Sequence, residues 1–144
     1  MLATSKYRPF HGAWSPLGFR LHPPRVLVVD DEPHILRLVA FKLERAGFEV
    51  VTAVDGPLAI EAVYHREPDL CVLDVVMPGC SGWEVLQDIR SRDYSREMKV
   101  IMLTALASDS DRARGYDLGA NSYVTKPFSP RQLVDEVCSQ LEVT

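Results

Sequence analysis

Short apolar segments alternate with segments of helical periodicity along most of the chain. Apolar residues run almost without interruption in the predicted strands, whereas they recur every three or four positions in the segments between them. The predicted strands span residues 25–30, 48–53, 69–74, 99–104 and 122–126. The first predicted helix begins at Pro33 and is closed by Gly47, and the second and fourth span residues 56–66 and 109–118. The third follows the loop at 77–82, and the last is capped by Ser129.

This strict alternation of strand and helix predicts an α/β domain with a mostly parallel sheet and helices on both of its faces. The first, third and fourth strands are nearly continuous apolar runs, which is typical of strands buried on both faces. The second and fifth strands are more mixed and therefore belong at the edges. The pattern predicts a flavodoxin-like, doubly wound (βα)5 fold with strand order 2-1-3-4-5.

Charge is distributed unevenly between the two ends of the chain. The 144 residues include 16 basic and 20 acidic side chains, a net charge of −4 that does not favour direct binding to nucleic acid. Residues 1–24 contain three basic residues, no acidic residue and four prolines, and they show no periodicity. We predict that they form a flexible tail preceding a single domain at 25–144. Their aromatic and basic residues also fit a strip that binds a partner.

The chain lacks the signals of a secreted or membrane protein. It contains no apolar run of the roughly 20 residues that a membrane-spanning helix requires. Its three cysteines, Cys71, Cys80 and Cys138, are odd in number and lack close pair spacing. Because such cysteines fit a reducing compartment better than a disulfide framework, we predict a cytoplasmic protein without membrane insertion.

Charged and polar residues follow the apolar strands at the point where each strand ends. Asp30 and Asp31 follow the first strand, and Asp74, Thr104 and Lys126 end the third, fourth and fifth. The carboxyl ends of parallel strands meet at one edge of the sheet, where ligands of such folds bind. Clustered carboxylates repel each other unless a cation neutralises them, and Mg²⁺ prefers oxygen ligands. The sequence therefore predicts a divalent cation at this edge, with the Lys126 ammonium available to an anion.

Four motifs give the sequence a specific resemblance to a known family. They read VVDDEPHIL at 28–36, LDVVMPGCSGWEVL at 73–86, VIMLTA at 100–105 and GANSYVTKPF at 119–128. In order and spacing they resemble the receiver domain of bacterial two-component response regulators, the CheY-like domains. The resemblance covers residues 25–142 and excludes the predicted tail.

The resemblance implies a phospho-acceptor and a metal site. Asp74 matches the aspartate that attacks the phosphorus of a phosphohistidine. Asp30, Asp31, Asp74 and the backbone carbonyl of Val76 match the protein ligands of Mg²⁺, for which Mn²⁺ is a possible substitute. Each aspartate taken alone also fits a helix cap or a strand-end turn.

The resemblance also implies which residues contact the phosphoryl group and respond to it. Lys126 would neutralise phosphoryl oxygens, and the Thr104 hydroxyl would bond to one of them after transfer. Tyr123 would then rotate from an outward to an inward position. The Lys126-Pro127 peptide matches one that is cis in the family.

Three residues beside the acceptor are expected to control access to it. Ala105 is small and leaves Asp74 accessible. Val76 and Leu106 lie two residues beyond Asp74 and Thr104 and would flank the path of a hydrolytic water. Since both are apolar and cannot orient that water, we predict a long-lived phosphoryl group.

The function implied is that of a phosphorylation-activated switch rather than an enzyme, apart from self-catalysed phosphorylation and slow dephosphorylation. A sensor histidine kinase or a histidine phosphotransfer protein would donate the phosphoryl group. The fourth helix, fifth strand and fifth helix would signal to an effector protein. Because the chain ends soon after the fifth predicted helix, we expect a stand-alone receiver without an output domain.

Other functions fit parts of the same pattern. A phosphorelay intermediate that passes the phosphoryl group onward would look the same, as would a receiver excised from a longer DNA-binding regulator. An aspartyl-nucleophile phosphatase fits less well, because such enzymes carry a D-x-D motif after the first strand.

Two departures from the DNA-binding regulators bear on the oligomeric state. An acidic pair normally precedes the switch aromatic in those proteins, whereas this chain has Asn121 and Ser122. The last helix carries Asp135 and Glu136 where Ala-Arg is usual. These changes disfavour the dimer formed through that face and predict a monomer or a weak phosphorylation-dependent dimer.

Overall fold

The computed structural model describes residues 23–105 and 108–142. The strands are β1 (Arg25–Val29), β2 (Glu49–Ala53), β3 (Leu70–Asp74), β4 (Lys99–Thr104) and β5 (Ser122–Thr125). The helices are α1 (Pro33–Arg45), α2 (Gly56–Arg66), α3 (Gly82–Ser91), α4 (Asp109–Asp117) and α5 (Pro130–Leu141). Each strand end lies within one residue of its predicted position. Almost all of the predicted tail falls outside the described residues.

The five strands form one parallel sheet in the order β2-β1-β3-β4-β5. This confirms the predicted fold class and the edge positions of β2 and β5. The register pairs Val29 with Leu73 and Asp74 with Leu103. The ends of β1, β3 and β4 therefore lie side by side, and the residues that follow these strands share one edge of the sheet.

Alternate residues of the central strands supply two separate hydrophobic cores. Leu27, Cys71 and Met102 pack against α2 and α3 on one face of the sheet. Val28 and Val72 pack against α1 and α5 on the other face. This alternation follows from the period of two in a strand, and it explains why β1, β3 and β4 are apolar at nearly every position.

Helix caps fix where four of the five helices begin. The side chains of Asp55, Ser81, Ser108 and Ser129 each accept a hydrogen bond from a backbone N–H in the first turn of α2, α3, α4 and α5, respectively. Such a cap stabilises a helix by about 1 kcal/mol. None of the described helices combines the length and the apolar character that crossing a membrane would require.

Candidate functional site

Three charged residues predicted from the strand ends come together at the carboxyl edge of the sheet. Asp30 follows β1 and is fully buried, and Asp74 ends β3 with its side chain 5% exposed. Lys126 follows β5 and reaches both carboxylates with a side chain that is 16% exposed. Its Nζ lies 2.8 Å from Asp30 Oδ2 and 3.2 Å from Asp74 Oδ2.

A third carboxylate near Lys126 was not among the predicted site residues. Glu32 Oε1 lies 3.7 Å from Lys126 Nζ, and its side chain is largely exposed. Glu32 directly follows the two predicted aspartates, so its position next to the strand end was a signal available in the sequence. Lys126 is thus the one cation of the described residues that forms ion pairs with this group of acidic side chains.

Burial and charge shift the pKa values of the acceptor and of the lysine. Burial raises the pKa of Asp74 to about 6, the Asp30 carboxylate adds to this, and Lys126 acts in the opposite direction. For Lys126, burial disfavours the charged ammonium, but hydrogen bonding to Asp30 and the charge of Asp74 outweigh it and raise its pKa. Above about pH 6 the edge therefore holds an ionised acceptor beside a charged ammonium.

The three aspartates can serve as ligands for one metal ion. One carboxylate oxygen from each of Asp30, Asp31 and Asp74 lies within 4.8 Å of the others. Asp31 is exposed, so the cluster opens to solvent on that side. Hard oxygen donors with an open side fit Mg²⁺, which typically keeps several of its waters. The chemistry of these side chains therefore agrees with the predicted divalent cation.

Asp74 is held in place by the loop that follows it. The Val76 N–H donates to Asp74 Oδ1 at 3.3 Å, and the Val76 side chain is 59% exposed at the rim. Gly82, the first residue of α3, lies so close that an added Cβ would stand 2.2 Å from the Asp74 backbone carbonyl oxygen. A glycine is needed there, and the sequence pattern had not indicated this close approach.

Two more of the predicted site residues, Thr104 and Ala105, lie at the carboxyl end of β4. Thr104 is buried at the end of β4, and its carbonyl accepts the Lys126 N–H at 2.8 Å. Ala105 is exposed at the rim. Leu106 lies outside the described residues. The Lys126-Pro127 peptide is cis, as the resemblance predicts.

Tyr123 is buried on β5 and is 8% exposed, so the inward position is the one that the structure shows. The Arg112 guanidinium carbon of α4 lies 5.4 Å from the centre of its ring. Burial, followed by the charge of Asp111, raises the pKa of the Tyr123 phenol. The contact with Arg112 could not be predicted from the hydrophobic pattern, because α4 is mostly polar and only weakly amphipathic.

Residues predicted to disfavour a dimer interface form bonds within the chain. Ser122 Oγ donates to Glu136 Oε2 at 2.7 Å, which ties β5 to α5. Asn121 Oδ1 accepts from the Val100 N–H at 2.8 Å and from the Arg90 guanidinium at 2.9 Å. These side chains contribute to the packing of the domain itself.

Comparison with known proteins agrees with this geometry. The family model for the response regulator receiver domain matches residues 26–138. Among solved structures, the chemotaxis protein CheY4 of Vibrio cholerae is 32% identical, with a TM-score of 0.78. That match covers 81% of this chain and 98% of CheY4.

Two further structures show the same likeness. The receiver domain of the Francisella response regulator 1452 is 32% identical, with a TM-score of 0.78, and the match covers 83% of this chain and 97% of that domain. A CheY-like receiver domain protein from Methanospirillum hungatei is 29% identical, also with a TM-score of 0.78, over 83% of this chain and 94% of that protein. This chain therefore belongs to the response regulator receiver domains, the CheY-like signalling domains of two-component systems.

Proposed function

We propose that this receiver accepts a phosphoryl group on Asp74 in a Mg²⁺-dependent reaction and signals through α4, β5 and α5 to an effector. A sensor histidine kinase or a histidine phosphotransfer protein is the proposed donor. The observation that carries the proposal is the imbalance of charge at the carboxyl edge, where Lys126 is the one cation of the described residues that pairs with Asp30, Asp74 and Glu32.

Asp74 is the proposed nucleophile because it is ionised at neutral pH and is fixed on both of its oxygens. Oδ1 accepts the Val76 N–H, and Oδ2 accepts from Lys126. In the transfer, an oxygen–phosphorus bond forms at Asp74 while the nitrogen–phosphorus bond of the phosphohistidine breaks. The bonding electrons return to the ring nitrogen, and the imidazole leaves in its neutral form with the proton already carried by its other nitrogen.

Asp30, Asp31, Asp74 and the carbonyl of Val76 are the residues that we propose to hold Mg²⁺. When bound there, the metal would neutralise negative charge on the phosphoryl oxygens during in-line transfer. Asp31 is the exposed member of the cluster, and its position leaves the solvent side open for an incoming group.

Lys126 and Thr104 are the residues proposed to bind the phosphoryl group after transfer. The Lys126 ammonium already lies 3.2 Å from the acceptor oxygen, so a phosphoryl oxygen attached there falls within its reach. The Thr104 hydroxyl would bond to a second phosphoryl oxygen and draw its loop inward. The Tyr123 side chain on β5 would then stabilise this arrangement from the inward position.

The surroundings of Asp74 support a slow loss of the phosphoryl group. The Val76 side chain is exposed at the rim two residues beyond the acceptor. Its apolar surface offers no group that could orient an attacking water. Leu106 is proposed to act in the same way, and Ala105 leaves the approach to Asp74 unobstructed.

The proposal is tested by incubating the full chain with acetyl phosphate and Mg²⁺ and recording its intact mass. We expect the wild type to gain one phosphoryl group and the Asp74→Asn variant to gain none. Asp69→Asn is the matched control, because Asp69 is a buried acid that directly precedes the same strand, at the end opposite Asp74. That variant should gain the group as the wild type does.

The metal requirement is measured in the same assay by titrating Mg²⁺. Asp31→Asn removes an exposed proposed ligand of the metal. We expect this variant to need at least about tenfold more Mg²⁺ than the wild type to reach the same rate of phosphorylation. A phosphoryl gain on Asp74→Asn, or no gain on the wild type, would contradict the assignment of the acceptor. An unchanged Mg²⁺ requirement in Asp31→Asn would contradict the assignment of that ligand.

A further inference from the structure

The Tyr123 ring lies beneath α4, where a single arginine contacts β5 at two points. The Arg112 guanidinium carbon lies 5.4 Å from the centre of the Tyr123 ring, a distance at which a cation attracts the ring face. The same guanidinium donates a hydrogen bond to Thr125 Oγ1 at 2.8 Å. Tyr123 and Thr125 are two residues apart, so their side chains project from the same side of the strand. Arg112 therefore links α4 to the side of β5 that carries the switch tyrosine.

The buried ring also depends on a residue of α4 that has no side chain. A Cβ added to Gly115 would stand 2.9 Å from Tyr123 Cε2 and 3.3 Å from Trp83 Cζ3. The first of these distances is too short for two carbon atoms, so either the ring or the helix would have to move. Gly115 thus allows α4 to lie against an inward Tyr123.

One feature of the buried ring opposes these contacts. The Tyr123 hydroxyl is buried, yet it has no hydrogen-bond partner among the described residues. A buried hydroxyl without a partner loses the hydrogen bonds that it would make in water, and this favours the exposed position. The inward ring is therefore a balance between the contacts of α4 and the desolvated hydroxyl.

We propose that Arg112 and Gly115 are positioning residues that hold Tyr123 inward before any phosphoryl group is attached. The inference rests on the proposed function for its consequence, because an inward Tyr123 is the position we assign to the signalling state. A substantial fraction of unphosphorylated molecules would then have Tyr123 in the inward position. Contacts from α4, and not the phosphoryl group alone, would therefore set how far the Tyr123 equilibrium shifts on phosphorylation.

The position of the ring can be measured without any phosphorylation. The protein is labelled with 3-fluorotyrosine, and the fluorine signal of Tyr123 is identified by its absence in the Tyr123→Phe variant. Broadening by a soluble paramagnetic gadolinium chelate then reports how exposed the ring is. In the wild type we expect this signal to be among the least broadened of the tyrosine signals.

Substitutions in α4 should expose the ring. Arg112→Met keeps most of the aliphatic stem but removes the charge and the bond to Thr125, and we expect the broadening to rise at least twofold. Gly115→Ala should have the same effect for a steric reason. Arg112→Lys retains the cation and should restore most of the protection.

Arg114→Met is the matched control, because Arg114 lies on the same helix but contacts Trp83, at 4.9 Å from the guanidinium carbon to the ring centre. It should leave the Tyr123 signal unchanged. Thr125→Val is a milder variant that removes only the hydroxyl that accepts the Arg112 hydrogen bond. If Arg112→Met does not fold, Thr125→Val can be measured in its place. We expect Thr125→Val to give an intermediate broadening.

Equal protection of the ring in wild type, Arg112→Met and Thr125→Val would overturn the proposal, as would an equal effect of Arg114→Met. These results do not depend on whether Asp74 accepts a phosphoryl group. A second measurement, after treatment with acetyl phosphate and Mg²⁺, tests the link to signalling. In Arg112→Met molecules whose mass shows the added group, the ring should regain protection, and a ring that stays exposed would contradict that link.

Discussion

The two ends of the sheet contain the same types of charged residue in different proportions. At the amino end, Arg25 Nε lies 2.7 Å from Glu49 Oε2, and Arg66 lies 3.6 Å from the same oxygen. The backbone N–H of Arg25 also donates to Asp69 Oδ2 at 2.7 Å. Two guanidinium groups thus accompany the Glu49 carboxylate, and the side chains of these ion pairs are partly exposed, whereas the buried Asp69 carboxylate is satisfied by a backbone N–H.

At the carboxyl end, Lys126 is the one cation among residues 23–105 and 108–142 that pairs with Asp30, Asp74 and Glu32, and the first two are buried. Balanced, partly exposed pairs contribute little to stability and need no further partner. Unbalanced, buried carboxylates are costly unless a cation binds to them. The comparison indicates that charges at the amino end serve the fold, whereas those at the carboxyl end are arranged for a ligand.

The largest loss of stability is expected from replacing Lys126, whose ammonium pairs with three carboxylates at the carboxyl end. Lys126→Met leaves Asp30 and Asp74 buried without a cation, so we expect the free energy of unfolding without Mg²⁺ to fall by about 3–5 kcal/mol. Urea denaturation measures this change. The loss should shrink in the Asp74→Asn background, where one of the two negative charges is absent. An equal loss in both backgrounds would show that packing, rather than charge, explains the effect.

The second largest effect is the pH dependence of stability that arises from Asp74. Burial raises its pKa from an ordinary value of 3.8 to about 6, so the folded chain binds this proton more tightly than the unfolded chain. Its contribution to stability is therefore most favourable below pH 3.8 and declines as the pH rises through 6. Without Mg²⁺, Asp74→Asn should be more stable than the wild type at pH 7.5 by on the order of 2 kcal/mol.

The gain in Asp74→Asn should diminish as the pH is lowered from 7.5 towards 4.5, which urea denaturation at several pH values tests. Asp69→Asn is the control at the other end of β3. Because the Asp69 carboxylate accepts the Arg25 N–H, that variant should show no gain in stability at any pH. A gain in Asp74→Asn that is independent of pH would contradict the raised pKa.

The smallest loss of stability is expected from breaking the ion pair between Arg25 and Glu49 at the amino end. Arg25→Met removes a guanidinium that bonds to Glu49 and to the Arg66 carbonyl. Because the Arg25 and Glu49 side chains are about one-third exposed, we expect a loss of about 1 kcal/mol. A loss as large as that of Lys126→Met in the same urea experiment would remove the distinction between the two ends.

Much of the fold could be predicted because the hydrophobic core follows a regular pattern of apolar residues along the strands. The apolar runs of β1, β3 and β4 gave their boundaries to within one residue, and the mixed composition of β2 and β5 placed them at the edges. Because the carboxyl ends of parallel strands meet at one edge of the sheet, it could also be predicted that Asp30, Asp74 and Lys126 lie close together. These predictions depend on backbone direction and local periodicity, both of which short stretches of sequence encode.

The features that could not be predicted depend on side chains from distant segments. The contact of Arg112 with Tyr123 joins a polar helix to an edge strand, and no periodicity reports such a pairing. The close approach of Gly82 to Asp74 is set by how α3 packs on β3. The inward position of Tyr123 reflects a balance of contacts around the ring. The phospho-acceptor role itself was implied by resemblance and stays a prediction until the mass measurement is made.

The depth at which Cys71 lies has a practical consequence for measuring the motions of the domain. This thiol is fully buried in β3, three residues before Asp74, and burial raises its pKa to about 12. Cys80 and Cys138 are only partly buried. An alkylating reagent attacks the thiolate, so it will modify the two outer thiols of the native chain first. Modification of Cys71 requires the central strand to open. The rate at which Cys71 is alkylated therefore measures how often the sheet opens.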